Sequence, residues 1–156
     1  MKANIGISEE HLQASANLLN TLLSDETVLY IKTRNYHWNI EGDNFIELHK
    51  FYESQYKELE ETIDEVAERI RYLGHYAEGR LKDFIKTTHL QEQDYTSDQK
   101  VQLKNLLNDH EAIIIYTRKN ISRVNDEYND AGTADLLTGI MKQHEKMAWF
   151  IRSYLR

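Results

Sequence analysis

The chain has 156 residues, 40% of them hydrophobic and 29% charged, which is the composition of a soluble globular protein of about one domain. The absence of cysteine excludes disulfides and thiolate metal sites, and a formal net charge of −7 argues against a surface that binds nucleic acid through its overall field. No apolar run approaches the ~20 residues of a membrane span, and residues 1–10 lack the pattern of a signal peptide, so we expect a cytoplasmic protein with no membrane partner.

The spacing of apolar residues predicts four long amphipathic helices, over residues 8 to about 38, 44–73, 96 to about 128 and 134–155. Ser8 is a suitable N-cap for the first helix, Gly74 is a natural stop for the second, and the run 96–99 fits a capping box for the third. The connection over 75–95 is long and could contain a short helix around 80–86.

The fold class follows from these helices. A loop over 129–133 separates the third helix from the fourth, and no strand pattern occurs, so the sequence predicts an all-α four-helix bundle in a single domain, 1–156. The long connection lets the chain cross the bundle, so an up-down-down-up order is as open as simple up-down neighbours. The apolar seams also contain Glu26, His110 and His144, and we expect the two histidines to be buried or half-buried with partners.

Five residues of the types that bind iron or zinc occur between positions 37 and 69: His37, His49, Glu53, Asp64 and Glu68. On a helical wheel the last four share one face of the second helix, about a third of a turn from its apolar seam. His49 and Asp64 are 15 positions apart, however, which is about 22 Å along a helix axis. One helix cannot bring both to the same metal ion, because a metal–ligand bond is only about 2 Å long.

A second copy of the helix, packed antiparallel across a two-fold axis, is the simplest arrangement that completes a site. The histidine end of one chain, which His37 would join, then meets the carboxylate end of the other, and each dimer has two equivalent sites. The alternative is a solvated helix face in a bundle without metal function, since Lys57 and Arg71 lie on the same side.

Two segments give the chain its resemblance to a known family: HWNIEGDNFIELHKFYE at 37–53 and IDEVAER at 63–69. They resemble the signature of the Dps proteins, the miniferritins of the ferritin-like superfamily, and the resemblance extends to the run DAGTADLLT at 130–138. It implies a ferritin-like bundle and a homo-oligomer, a dodecameric shell built from two-fold dimers. It further implies a ferroxidase that oxidises Fe(II), preferentially with hydrogen peroxide, stores Fe(III) inside the hollow shell and protects against oxidative damage.

The resemblance assigns the iron ligands residue by residue. His37 and His49 match the family's histidine ligands. Asp64 and Glu68 match the carboxylates that the facing subunit contributes, and Glu53 stands where many members have aspartate. Glutamate keeps the charge but adds a methylene group, so the same site would have a different geometry.

Other residues acquire expected roles in the same way. Trp38 follows the first histidine ligand, where it would take part in oxidation chemistry or pack at the dimer interface. Family members take up iron through acidic pores around the end of the third helix and the start of the fourth, so Asp126, Asp130 and Asp135 are candidates for iron entry. Helix capping is the alternative role for Asp130.

Many family members bind DNA through a lysine-rich tail, and this sequence departs from that pattern. Residues 1–10 contain one lysine, Lys2, and the C-terminus stops at Arg156 with no extension, so we expect DNA binding to be weak or absent. A nucleoid-associated DNA-binding protein with secondary iron binding is the alternative function. A di-iron site inside the bundle would require Glu-x-x-His pairs, and no histidine in the chain has a glutamate three residues before it.

Overall fold

Every regular element is helical in the computed structural model of the protein, which describes residues 3–156. The helices are α1 (Glu9–Asn39), α2 (Phe45–Tyr72), α3 (Leu81–Thr87), α4 (Gln99–Ser122) and α5 (Ala131–Tyr154). A π-helical segment, Arg123–Glu127, continues α4. The predicted all-α four-helix bundle is confirmed, and α3 is the short helix expected in the long connection. The single-domain organisation stays a prediction, and Lys2 lies outside the described residues.

The first two helices begin and end close to the predicted positions. Ser8 caps α1, because its Oγ accepts a hydrogen bond from the backbone N–H of His11 at 3.3 Å. Gly74 follows α2 with a φ of 87°, a left-handed conformation that glycine adopts without strain. The chain therefore leaves α2 where the sequence predicts.

The starts of α4 and α5 differ from the prediction. The N-cap of α4 is Asp98 and not Thr96, because the Oδ1 of Asp98 accepts a hydrogen bond of 2.8 Å from the backbone N–H of Val101. Asp130 caps α5, because its Oδ1 accepts a hydrogen bond of 3.0 Å from the backbone N–H of Thr133. The helix therefore begins at Ala131, and the loop before it is shorter than the predicted loop over 129–133. The predicted end of the third helix at Tyr128 includes the π-helical segment, whose turns are wider than those of an α-helix.

Contacts between helices give the topology. In each pair of neighbouring helices, a later residue of one helix contacts an earlier residue of the other. The contacting residues are 30 with 56 and 37 with 49 for α1 and α2, 18 with 116 and 36 with 105 for α1 and α4, and 111 with 152 and 118 with 145 for α4 and α5. α1 is therefore antiparallel to both α2 and α4, and α4 is antiparallel to α5. The order is up-down-down-up, which settles the alternative that the sequence left open.

Aliphatic side chains from all four long helices fill the centre of the bundle. The fully buried ones include Leu19, Leu23, Leu59, Ile70, Leu106, Ile113, Leu137 and Ile151. Burial of each such side chain contributes roughly 2 kcal/mol. None of the helices within residues 3–156 is long and apolar enough to cross a membrane.

Buried polar side chains fasten the long connection to the bundle. Asp25 on α1 accepts a hydrogen bond from the backbone N–H of His89 at 2.7 Å. Lys32, also on α1, places its Nζ 2.5 Å from the Asp109 carboxylate and 2.5 Å from the carbonyl oxygen of Gln91. Buried side chains of α1 thus hold the connection between α2 and α4 in place. Removal of either member of the Lys32–Asp109 pair would leave a buried charge without its partner.

Candidate metal centre

His37 and His49 form one end of the candidate site, where α1 ends and α2 begins. Their imidazole rings are stacked, with centroids 3.7 Å apart and planes 17° apart. The Nδ1 of His37 lies 2.7 Å from the backbone carbonyl oxygen of His49, and the Nδ1 of His49 lies 2.8 Å from the carbonyl oxygen of His37. Because a carbonyl only accepts, each Nδ1 carries a hydrogen, and the neutral form of each ring has its lone pair on Nε2. This is the tautomer that a histidine needs in order to bind a metal through Nε2.

Aromatic side chains hold the two imidazoles from the sides. Phe45 stacks on His49 with centroids 5.1 Å apart, and the edge of Tyr56 meets His37 at 5.3 Å. The guanidinium of Arg34 lies 4.6 Å from the Tyr56 ring and 5.5 Å from the Trp38 ring. Trp38, which follows His37 in the sequence, is 63% exposed and presents a large apolar surface.

Glu53 lies one helical turn after His49 and adds a carboxylate to the histidine end. Its Oε1 is 2.5 Å from the Nζ of Lys57, one further turn along α2. The Lys57 ammonium lowers the pKa of Glu53 through a hydrogen bond and its charge, so the carboxyl group is ionised at neutral pH. Lys57 is also the cation that a metal ion would have to displace from Glu53.

Asp64 and Glu68 lie toward the far end of α2, and both are exposed. Glu68 accepts a hydrogen bond from the hydroxyl of Tyr72 at 3.0 Å, which raises the pKa of that hydroxyl. The adjacent Arg69 fixes this part of α2 to α5, because its guanidinium binds the carboxylate of Asp130 at 2.7 Å. Within residues 3–156, no three histidine, aspartate or glutamate side chains converge in an arrangement that could hold a metal ion.

The five predicted ligands are thus divided between two places. His37, His49 and Glu53 are brought together at one end of α2, whereas Asp64 and Glu68 remain about 22 Å along the axis, the distance that helix geometry requires. One chain presents two half-sites of complementary chemistry. We refer to them as the histidine half (His37, His49, Glu53) and the carboxylate half (Asp64, Glu68).

The candidates for iron entry fall into two groups. Asp126, in the π-helical segment, and Asp135, after the first turn of α5, are exposed. Asp130 is only 1% exposed, and its carboxylate accepts hydrogen bonds from Thr133 and Arg69. Asp130 therefore has the alternative role, the cap of α5, and its assignment to a pore stays a prediction.

Sequence reasoning missed the partners of two of the three predicted carboxylate ligands. Lys57 follows Glu53 by four positions, and Tyr72 follows Glu68 by four, the spacing at which side chains on a helix meet. The i,i+4 rule applied to each candidate ligand would have found both. The aromatic contact from Tyr56 to His37 depends on how α1 packs on α2 and has no local signal.

Comparison with known proteins identifies the family. A family model described as a ferritin-like domain matches residues 16–156. The chain is 36% identical over 149 residues to the DNA protection during starvation protein of Porphyromonas gingivalis, an alignment that covers 96% of this chain and 93% of that protein. The chain belongs to the Dps family.

Two further relatives show how far the similarity extends. This Dps protein is 42% identical over 156 residues to a low temperature-induced protein of Nostoc sp., covering 99% of this chain and 87% of that protein. It superposes on Dps from Vibrio cholerae O1, described as a member of a broad superfamily of ferritin-like diiron-carboxylate proteins, with a TM-score of 0.94 at 31% identity, over 100% of this chain and 98% of that one. The resemblance predicted from the motifs and the ferritin-like fold are confirmed.

Proposed function

We propose that this Dps protein is a ferroxidase that oxidises Fe(II), preferentially with hydrogen peroxide, and stores the Fe(III) product inside a hollow dodecameric shell. The observation that carries the proposal is the histidine pair, whose reciprocal hydrogen bonds leave two Nε2 lone pairs on the same end of α2 as the Glu53 carboxylate. Membership of a ferritin-like family supports iron as the substrate. The cytoplasmic location expected from the sequence is part of the proposal.

The ligand set suits iron in both oxidation states. Neutral imidazole and carboxylate are ligands that Fe(II) accepts, and additional carboxylates stabilise the higher charge of Fe(III). Hydrogen peroxide takes one electron from each of two Fe(II) ions and two protons from the medium, giving two Fe(III) ions and two water molecules. Consuming iron and peroxide together removes the two reagents that form hydroxyl radical.

The site is proposed to form between two subunits. Across a two-fold axis, the histidine half of one chain faces the carboxylate half of the other, so each dimer completes two sites. The separation of the halves along α2 is the support for this arrangement, since neither half alone contains enough ligands to hold iron firmly. Trp38, which is exposed and follows His37 in the sequence, is proposed to pack at this interface next to the oxidation chemistry.

Lys57 is proposed to hold the place of the metal in the iron-free protein. Its ammonium neutralises Glu53 at 2.5 Å, so the histidine half carries no uncompensated negative charge before iron arrives. Both side chains are partly exposed, at 62% for Lys57 and 38% for Glu53, so the pair is weak enough for a divalent cation to replace. Iron reaches the interior past exposed acidic residues, for which Asp126 and Asp135 are the candidates.

The test is anaerobic loading with Fe(II) followed by peroxide, with Fe(III) formation recorded by absorbance. The double variant His37→Ala, His49→Ala should oxidise iron far more slowly than wild type, because the histidine half is lost. His75→Ala, in the loop after α2, is the matched control and should oxidise at the wild-type rate. Equal rates for the double variant and wild type would remove the ferroxidase proposal, and a solution mass far below a dodecamer would remove the shell.

A further inference from the structure

Three ionisable side chains from three different helices meet in the centre of the bundle, away from both half-sites. Glu26 of α1, His110 of α4 and His144 of α5 are each 0% exposed. The Nε2 of His144 lies 2.8 Å from Oε1 of Glu26, and its Nδ1 lies 2.8 Å from Nδ1 of His110. These residues form one continuous hydrogen-bonded chain, called here the core triad, which links α1 to the α4–α5 pair.

Hydrogen-bond chemistry limits how many protons the core triad can hold. A carboxylate only accepts, so the Nε2 of His144 donates to Glu26, and the contact between the two Nδ1 atoms requires one hydrogen between them. If the Nε2 of His110 carried no hydrogen, both imidazole rings would be neutral. The buried negative charge of Glu26 would then have no counter-charge, which is strongly unfavourable. A hydrogen on that Nε2 gives the two rings together one positive charge and makes the triad neutral.

We propose that the core triad stores one proton, shared between the Nδ1 atoms of His110 and His144, as the counter-charge of Glu26, and that it acts as an acid-sensitive lock between the α1–α2 and α4–α5 helix pairs. One more proton would put a hydrogen on both Nδ1 atoms, which would then repel each other where they now bond. The lock therefore opens when the medium becomes acidic enough to add that proton. This inference requires no metal and does not depend on the proposed function.

Within residues 3–156, no further ionisable side chain is hydrogen-bonded to the core triad that could offset a second proton. The remaining buried ionisable groups on the packed helices are Asp25, Lys32, Tyr36 and His37 on α1, Tyr52 and Tyr56 on α2, and Asp109 on α4. Asp25 is bonded to His89, and Lys32 is paired with Asp109. Within residues 3–156, neither Oε2 of Glu26 nor Nε2 of His110 has a hydrogen-bond partner, so a second positive charge would be unsolvated.

The effect on stability has a definite sign. Burial and the neighbouring charge of His144 hold the pKa of His110 well below its usual range. In the unfolded chain the same ring takes up a proton below about pH 6.5, so the unfolded state binds more protons there and the folded state loses stability as the pH falls. One proton of difference raises the unfolding equilibrium constant by about tenfold for each pH unit.

The decisive variant is His110→Asn, because the asparagine side chain places a hydrogen-bonding atom near the Nδ1 position but cannot take up a proton. Urea unfolding is measured from pH 7.5 down to about pH 5 at one subunit concentration, since assembly couples stability to concentration. Wild type should lose stability more steeply than His110→Asn, by about a factor of ten in the unfolding constant per pH unit below pH 6.5. His75→Asn, in the loop after α2 and outside the core triad, is the control and should retain the wild-type slope. Parallel curves for wild type and His110→Asn would overturn the proposal.

A second measurement on wild type alone covers the case in which the asparagine variant does not fold. Exchange of the histidine C2 hydrogen, followed by mass spectrometry, reports the protonation of each ring in a large assembly. Neither ring of the core triad should gain a further proton as the pH falls from 7.5 to about 5, the range in which a histidine of an unfolded chain becomes charged. If His110 in the folded protein takes up a further proton near pH 6.5, the lock does not exist.

Discussion

The division of the site between two subunits can be tested by complementation. One variant loses the histidine half through His37→Ala and His49→Ala, and a second loses the carboxylate half through Asp64→Ala and Glu68→Ala. Each variant alone should be nearly inactive, because every site in its dimers lacks one half. When both chains are present in one assembly, however, the histidine half of one variant can meet the intact carboxylate half of the other.

The recovered activity follows from the geometry of α2 and the two-fold axis. With equal amounts of both chains pairing at random, about half of the dimers contain one chain of each kind. Such a dimer has two sites, one with both halves intact and one with both halves lost, since the halves of one chain are about 22 Å apart and belong to different sites. About one quarter of all sites, and hence about one quarter of the wild-type rate, should return.

The assay uses co-expression of the two variants with different affinity tags, two-step purification, and peroxide-driven Fe(III) formation after anaerobic loading. Mixing the two separately assembled variants is the control and should give no recovery unless subunits exchange. If co-assembled protein is no more active than either variant, the two halves do not act in one shared site. If a chain lacking either half retains its rate when assembled alone, the site does not need that half.

Three further variants test individual contacts. Lys57→Gln removes the cation that lowers the pKa of Glu53, so Co(II) should bind more tightly at neutral pH. On acidification, the variant should begin to lose Co(II) at a higher pH than wild type, because its Glu53 takes up a proton at a higher pH. An unchanged titration would mean that Glu53 is not a ligand. Asp130→Ala removes the α5 cap and the partner of Arg69, which should cost about 3 kcal/mol in urea unfolding, against almost nothing for exposed Asp135→Ala. Although burial tends to raise the pKa of Asp130, its bonds from Thr133 and the Arg69 charge lower it overall, so this contribution is present above about pH 4 and is lost as the pH falls through the lowered value. Tyr52→Phe removes a buried hydroxyl without a hydrogen-bond partner within residues 3–156, so stability should be unchanged or rise by up to about 1 kcal/mol, and a marked loss would reveal a partner for that hydroxyl.

The helices could be predicted from the sequence because the apolar spacing of each is a local property. The separation of His49, Glu53, Asp64 and Glu68 along one axis could be predicted as well, since the rise per residue of an α-helix is constant. The cap of α5 at Asp130 was one of two roles that the sequence left open, whereas the bond from Arg69 to Asp130 joins positions 61 apart and has no local signal. A carboxylate expected at a solvated pore proved to be a buried helix cap.

The contacts that complete the histidine half and the core triad were also beyond local reasoning. Glu26, His110 and His144 stood on apolar seams, so burial of the histidines was expected, but the bond from His144 to Glu26 joins positions 118 apart. The reciprocal bonds between His37 and His49 arise from the register with which α2 folds back on α1. Sequence periodicity shows which face of a helix is buried, whereas the partner of a buried polar group is set by the packing of whole helices.

The hydrogen bonds that orient the two histidines are accepted by main-chain carbonyl groups. The orientation of each ring therefore does not depend on which side chain occupies the other position. Replacing His37 removes a ring but leaves its carbonyl oxygen, which can still accept from the Nδ1 of His49, and the reverse holds for His49. Either ligand position can therefore change without disorienting the other, provided that the α1–α2 turn keeps its path. The main-chain path of the α1–α2 turn, and not the second imidazole, therefore determines the orientation of each ring.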